Sequence, residues 1–112
     1  MKIVFTAQGT DWDSKMDARF GRAKYFLIYD EETEQLSTMD NSDVEKEAHG
    51  AGPKAAQKMA EAKADVLITG NGPGGNAATV LQRLGMKSYI GAADYTVKEA
   101  YEAYKAGNLK EF

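Results

Sequence analysis

Three short segments hold the residues whose types and spacing could do chemistry. The first is Gly70-Asn71-Gly72-Pro73-Gly74-Gly75-Asn76, set between an apolar run and an amphipathic stretch. Glycines let a ligand approach the main chain, and a helix N-terminus offers N–H groups and a partial positive charge. An anion is the natural guest. No Gly-Lys-Ser/Thr follows, so this is not a Walker loop. Gly70 and Gly72 match the start of Gly-x-Gly-x-x-Gly, but no acidic strand end follows Gly75, as a dinucleotide site would require. The same glycines also suit a tight strand-to-helix turn with no ligand. The second segment, Asp17-Ala18-Arg19-Phe20-Gly21-Arg22-Ala23-Lys24, places three cations within six residues. Arginine presents a planar fork of donors suited to oxyanions and similarly shaped anions. In the alternative reading Phe20 plugs the core, and the cations are solvated or neutralised by Asp11, Asp13 and Asp17. The third segment is His49-Gly50-Ala51-Gly52, where His49 is either a ligand or a surface or capping residue.

Composition narrows the chemistry further. The 112 residues contain no cysteine and one histidine, and acidic residues outnumber basic ones for a formal charge of −3. The missing thiols exclude disulfides, thiolate zinc sites, cysteine-ligated iron–sulfur clusters and thiol catalysis. A single histidine excludes a multi-histidine metal site within one chain. Nucleic-acid binders usually carry a strong basic excess, so nucleic acid is a poor partner. The longest apolar runs, Ile3-Val4-Phe5 and Val66-Leu67-Ile68, fall far short of the ~20 residues that span a bilayer. No signal-peptide pattern is present, so a soluble cytoplasmic protein without membrane partners is expected. Catalysis finds little support. The first strand carries no carboxylate for a two-metal nuclease, and no serine has a histidine in a convincing motif. A non-enzymatic protein is therefore expected.

The elements that must position these segments follow from periodicity. Lys2–Ala7, Tyr25–Tyr29, Gln35–Met39, Asp65–Thr69 and Met86–Ile90 read as strands, with a short turn at 30–34 that makes the second and third an antiparallel hairpin. Pro53 suits the first turn of a helix over Lys54–Lys63. Asn76 caps a second helix with Ala77, Val80, Leu81 and Leu84 on its inner face, ended by Gly85. Thr96 and Glu99 form a capping box for a third, with Val97, Ala100, Tyr101 and Tyr104 facing inward. Right-handed crossovers then give one domain over residues 1–112. It is a three-layer α/β/α fold whose five-stranded mixed sheet runs 3-2-1-4-5, with strand two antiparallel. This order brings the connections 8–24, 41–52, 70–75 and 91–95 to one rim, where open α/β sheets bind ligands. The 8–24 loop is long, polar and Asp-rich, and is expected to be mobile without ligand. Trp12 within it reads as a latch or a lid residue.

The segments Asp17–Tyr29, His49–Gln57, Gly70–Ala77 and Gly107–Leu109 resemble the dinitrogenase iron–molybdenum cofactor biosynthesis family. That family contains nitrogenase accessory factors and small stand-alone, orange-protein-like members. The resemblance covers nearly the whole chain; its most specific pieces are the Arg-Phe-Gly-Arg element and the Gly-Pro-Gly loop. It implies a ribonuclease H-like fold. It also implies non-catalytic binding, storage or delivery of an anionic metal–sulfur cofactor or precursor, containing molybdenum with iron or with copper. Cofactor-carrying members often have histidine before Phe-Gly, a potential metal ligand. Arg19 stands there in this chain, which favours electrostatic capture over direct coordination. The expected cofactor-binding residues are Arg19, Phe20, Gly21, Arg22, His49, Gly72, Gly74, Gly75 and Asn76, with no catalytic residue and no direct metal ligand. Cluster-assembly proteins are the expected macromolecular partners. The alternatives are a module for a phosphorylated small molecule or nucleotide, using the same glycine loop, and an adaptor whose rim docks a cluster-assembly protein.

Overall fold

The computed structural model describes residues 1–41, 51–73 and 75–112. These form β1 (Lys2–Ala7), β2 (Tyr25–Asp30), β3 (Gln35–Asp40), α1 (Ala51–Glu61), β4 (Val66–Ile68), α2 (Gly75–Arg83), β5 (Lys87–Ile90), α3 (Val97–Lys105) and β6 (Lys110–Glu111). The sheet order is β3-β2-β1-β4-β5-β6. β1 runs antiparallel to β2 and parallel to β4, β4 is parallel to β5, and β2–β3 is the antiparallel hairpin. The fold is thus the three-layer, ribonuclease H-like α/β/α arrangement. Its sheet has the expected order plus a sixth, two-residue strand antiparallel to β5.

Alternation along the central strand explains the layers, because successive side chains of a strand point to opposite faces. Val4 faces one side with Phe26, Leu67 and the small residues Ala55, Ala56 and Ala77 of α1 and α2. Ile3, Phe5 and Ala7 face the other with Val66, Ile68, Val97 and Ala100, so α3 covers that side. Alanines let α1 and α2 lie close to the sheet. The α3 face is filled instead by aromatics: Trp12, Tyr29 and Tyr101 pack mutually, and Phe5 lies against Trp12 and Tyr101. Trp12 is therefore a latch that fastens its loop to the core, and Tyr101 and Tyr104 pack inward as expected.

Helix boundaries carry the expected chemistry with small shifts. Thr96 and Glu99 form the reciprocal capping box of α3. Gly85 and Gly107 adopt positive φ just beyond the ends of α2 and α3, the conformation that favours glycine there. α1 begins at Ala51, so Pro53 lies inside its first turn, and α2 begins at Gly75, so Asn76 is within it and not its cap. Leu84 is 44% exposed and lies outside the core it was expected to join. No helix among the described residues is long and apolar enough to cross a membrane.

Candidate functional site

β1 and β4 are neighbouring parallel strands whose carboxyl ends open on the same rim. Ala7 ends β1 and Ile68 ends β4 there. The connections that leave this rim are bonded to one another. The Asn71 N–H donates to the Ala18 carbonyl at 2.8 Å, and the Gly91 N–H donates to the Gly70 carbonyl at 3.0 Å. The Met16 N–H donates to Tyr95 O at 2.9 Å, and the Asp17 N–H returns to Thr6 O at 2.8 Å. Gly70 is the junction. A Cβ there would lie 2.6 Å from the Ala18 Cα and 3.0 Å from the Ala93 Cβ, so a side chain cannot be accommodated without moving main chain. Behind it, the Thr6 hydroxyl donates to Asp17 O at 2.8 Å and lies 2.9 Å from the Thr69 hydroxyl. One proton cannot serve both bonds, so Thr69 is the donor to Thr6. Both threonines are fully buried.

This network ties down the stem of the 8–24 segment, which reads from its composition as a free loop. Its stem is bonded to β1 and to the β5–α3 connection, and it bridges at Ala7↔Met16 and Lys15↔Thr96. Its carbonyls also consume the N-terminus of α3: Val97 N–H donates to Ser14 O and Lys98 N–H to Trp12 O, both at 2.9 Å. Glu99 N–H donates to the Thr96 hydroxyl at 3.2 Å. The start of α3 is therefore internally satisfied.

The Arg-Phe-Gly-Arg element packs through Phe20 on the side of the sheet that α1 and α2 cover. Phe20 is buried in one cluster with Ala23, Phe26, Ala55, Ala56 and Ala77. The Ala23 N–H donates to Phe20 O at 3.3 Å, closing a turn over residues 20–23 with Gly21 and Arg22 at its tip. Phe20 plugs the core and also anchors this turn.

Two buried polar side chains outside the expected site hold it in place. Asp17, 3% exposed, accepts from the Arg19 N–H at 2.9 Å and from the Arg19 Nε and Nη2 at 3.1 Å each. It also accepts from the Lys24 N–H at 3.3 Å. Burial pushes its carboxyl up. The Arg19 guanidinium and main-chain N–H, with the Lys24 N–H, more than offset this and hold it below its ordinary value. Arg19 thus reaches the surface, its side chain 53% exposed, already forked onto a carboxylate. Its charge is partly neutralised, and its orientation is fixed. The second residue is Asn41, which was expected to open a polar loop. It is fully buried, and its amide donates to Gly21 O at 3.0 Å and Ala23 O at 2.8 Å. An aspartate two residues before an arginine has the spacing of an Asx turn, so Asp17 had a local signal. Asn41 had none, because its partners lie some twenty residues away.

Of the expected site residues, the structure therefore brings Arg19, Phe20, Gly21 and Arg22 together on one turn and bonds that segment to the loop carrying Gly72. Phe112 from the strand end beyond β6 packs over Gly72; a Cβ at Gly72 would fall 2.5 Å from its ring. Gly75 and Asn76 begin α2. His49 and Gly74 lie outside the described residues. Among the described residues no three His, Cys, Asp or Glu side chains gather as a metal-binding group. What the described rim presents is the half-exposed Arg19 guanidinium, held on Asp17.

Comparison with known proteins agrees with this architecture. The apo form of the orange protein from Desulfovibrio gigas superposes with a TM-score of 0.93 at 35% identity, over 99% of this chain and 92% of that one. A NifB-like protein from Thermotoga superposes with a TM-score of 0.84, also at 35% identity, over 98% of this chain and 91% of that one. No curated protein matches the sequence significantly. The family model described as "Dinitrogenase iron-molybdenum cofactor" matches residues 1–107, and the chain belongs to that family.

Proposed function

We propose that this protein binds, stores or delivers an anionic metal–sulfur cofactor or its precursor, molybdenum/iron or molybdenum–copper, without catalysing a reaction on it. The cluster is cargo, taken up on the rim in the cytoplasm and passed to cluster-assembly proteins, with residues 1–112 acting as one domain. The observation that carries this reading is the bonded junction of the rim connections. In it, Ala18, next to Arg19, accepts from the Asn71 N–H of the glycine loop. Family membership and the similarity to the orange protein support it.

Arg19 and Arg22 supply charge-assisted hydrogen bonds to the outer sulfur or oxygen atoms of the cluster. The N–H groups around Gly74–Asn76 supply neutral ones at a positive helix terminus. Gly72 keeps the main chain approachable, and His49 is a further contact proposed from the sequence. No protein atom need enter the metal's coordination sphere, which is consistent with a sequence lacking cysteine.

Titration of apo protein with tetrathiomolybdate, with and without copper, followed by visible absorbance, tests this. A charge-assisted bond to arginine contributes about 1.5–3 kcal/mol. Arg19→Ala and Arg22→Ala should each weaken binding roughly ten- to a hundredfold, and His49→Ala less. Protein purified anaerobically should carry molybdenum, with copper or iron and sulfide. If His49→Ala abolishes binding while both arginine variants bind normally, coordination replaces electrostatic capture. Tight binding of a nucleotide with none of thiomolybdate would move the protein to the phosphorylated-ligand alternative.

A further inference from the structure

Asn41 is fully buried at the end of β3, and its side-chain Oδ1 has no hydrogen-bond partner among the described residues. The amide orientation is not arbitrary. Nδ2 faces the carbonyl oxygens of Gly21 and Ala23, which can only accept, so the nitrogen must lie there and the oxygen is left without a partner among the described residues. A buried acceptor without a donor is costly, and native proteins keep few of them. Here the cost accompanies a specific gain. Gly21 and Ala23 are the residues immediately before and after Arg22. Both of their carbonyls are fixed by one side chain, and the Asn41 main-chain N–H fixes the next one along, Lys24 O, at 3.2 Å. Asn41 therefore brackets Arg22 as Asp17 brackets Arg19. A tip with a glycine before its arginine would otherwise be free to reorient.

We propose that Asn41 is a positioning residue that pre-organises the Phe20–Ala23 turn and so presents Arg22 to the anionic ligand. This rests on the cluster-binding reading above. It adds the residue that sets ligand affinity without touching the ligand, since a pre-formed donor loses less freedom on binding. Asn41→Ser is the informative variant because it changes no charge. Any loss of affinity then reports the turn and not the field around it.

The test has a ligand-free arm and a binding arm. In the wild type, trans-hydrogen-bond couplings should link Asn41 Nδ2 to the carbonyl carbons of Gly21 and Ala23. In Asn41→Ser, amides of residues 19–24 should exchange at least tenfold faster, while those of β1 and β4 keep their protection. Tetrathiomolybdate affinity should fall roughly tenfold. Tyr101→Phe, which removes the 2.7 Å bond to Glu31 on the opposite face, should lower thermal stability yet leave affinity unchanged. Absence of both couplings in the wild type would overturn the proposal even if the serine variant did not fold. So would an Asn41→Ser protein that binds as tightly as the wild type. Failure of the wild type to bind thiomolybdate would count against cluster binding, and the couplings and exchange rates would still decide the role of Asn41.

Discussion

Asp17 shows how one side chain can do opposite things at once. Its burial disfavours the charged form, yet it accepts four hydrogen bonds, two from the Arg19 guanidinium and two from the main-chain N–H groups of Arg19 and Lys24. The latter effect wins, and its pKa in the folded protein lies below the ordinary value. A carboxyl whose folded pKa is depressed contributes stability that is present above its unfolded pKa, about 3.9, and is lost as pH falls through the folded value. Asp17→Asn should therefore cost about 1–3 kcal/mol at pH 7. The gap between variant and wild type should close progressively below about pH 4. Thermal midpoints of both proteins at pH 7 and pH 3 check this; a gap of the same size at both values would show that the carboxylate charge is irrelevant. The Glu31–Tyr101 pair on the far face works differently. The tyrosine hydroxyl donates to Glu31 and holds its carboxyl below the usual range, while burial and that same bond push the tyrosine up. That pair fastens α3 to the β2–β3 turn and lies away from the rim.

At the scale of elements, the connections matter more than the strands they join. The end of β4 carries Gly70, where the main chain of the 8–24 connection and the β5–α3 connection approach together. Gly70→Ala places a methyl group within 2.6 Å of the Ala18 Cα, and the clash is with backbone, which cannot rotate away. Overpacking of this kind costs about 1–3 kcal/mol. Here the relief must separate the turn bearing Arg19 and Arg22 from the glycine loop. Gly70→Ala should thus lose thermal stability, and once folded it should also lose thiomolybdate affinity. A variant with normal affinity would mean that the two loops bind independently. The start of α3 makes the complementary point. Its first N–H groups are consumed by Ser14 O, Trp12 O and the Thr96 hydroxyl, so one helix terminus on the rim is closed to ligand by the same segment that opens another side to it.

The whole molecule packs the two faces of its sheet differently. One face is an aromatic cluster beneath α3, built around Phe5, Trp12, Tyr29 and Tyr101. The other is lined with alanines of α1 and α2, which share one core cluster with Phe20. The net charge of −3 opposes an anionic ligand at long range, so capture must come from cations within a few ångströms of it. Such short-range attraction at an accessible rim is screened by salt, with a Debye length of about 10 Å at 0.1 M and about 3 Å at 1 M. Raising sodium chloride from roughly 0.05 to roughly 0.5 M should weaken thiomolybdate binding by about three- to tenfold, with a shallower slope for Arg22→Ala. Affinity that is flat or rising with salt would replace charge by apolar burial or by metal coordination.

What the sequence determined is what neighbours along the chain can encode. Apolar runs, Gly85, Gly107 and the Thr96–Glu99 box defined strands and helix ends. Short turns and right-handed crossovers then forced β1 to the centre and the long connections to one rim. Arg19, Phe20, Gly21 and Arg22 were legible for the same reason, as a compact run of cations around a buried aromatic. The tertiary structure alone decided the rest. Lys110 and Glu111 carry no strand signal of their own and pair because the edge of β5 lies open to them. The 8–24 connection reads as a free loop because its bonds are main chain to main chain, reaching Tyr95 some eighty residues on, and such bonds leave no mark in residue type. Leu84 seemed internal by spacing and its N–H still bonds Val80 O in the helical pattern, yet it is 44% exposed, because spacing along a helix does not say how far the layer beneath it extends. Asn41 looked like a loop residue by composition. Its burial and its two carbonyl partners exist because the sheet carries the end of β3 beneath the Phe20–Ala23 turn, a meeting of distant segments that no local pattern records.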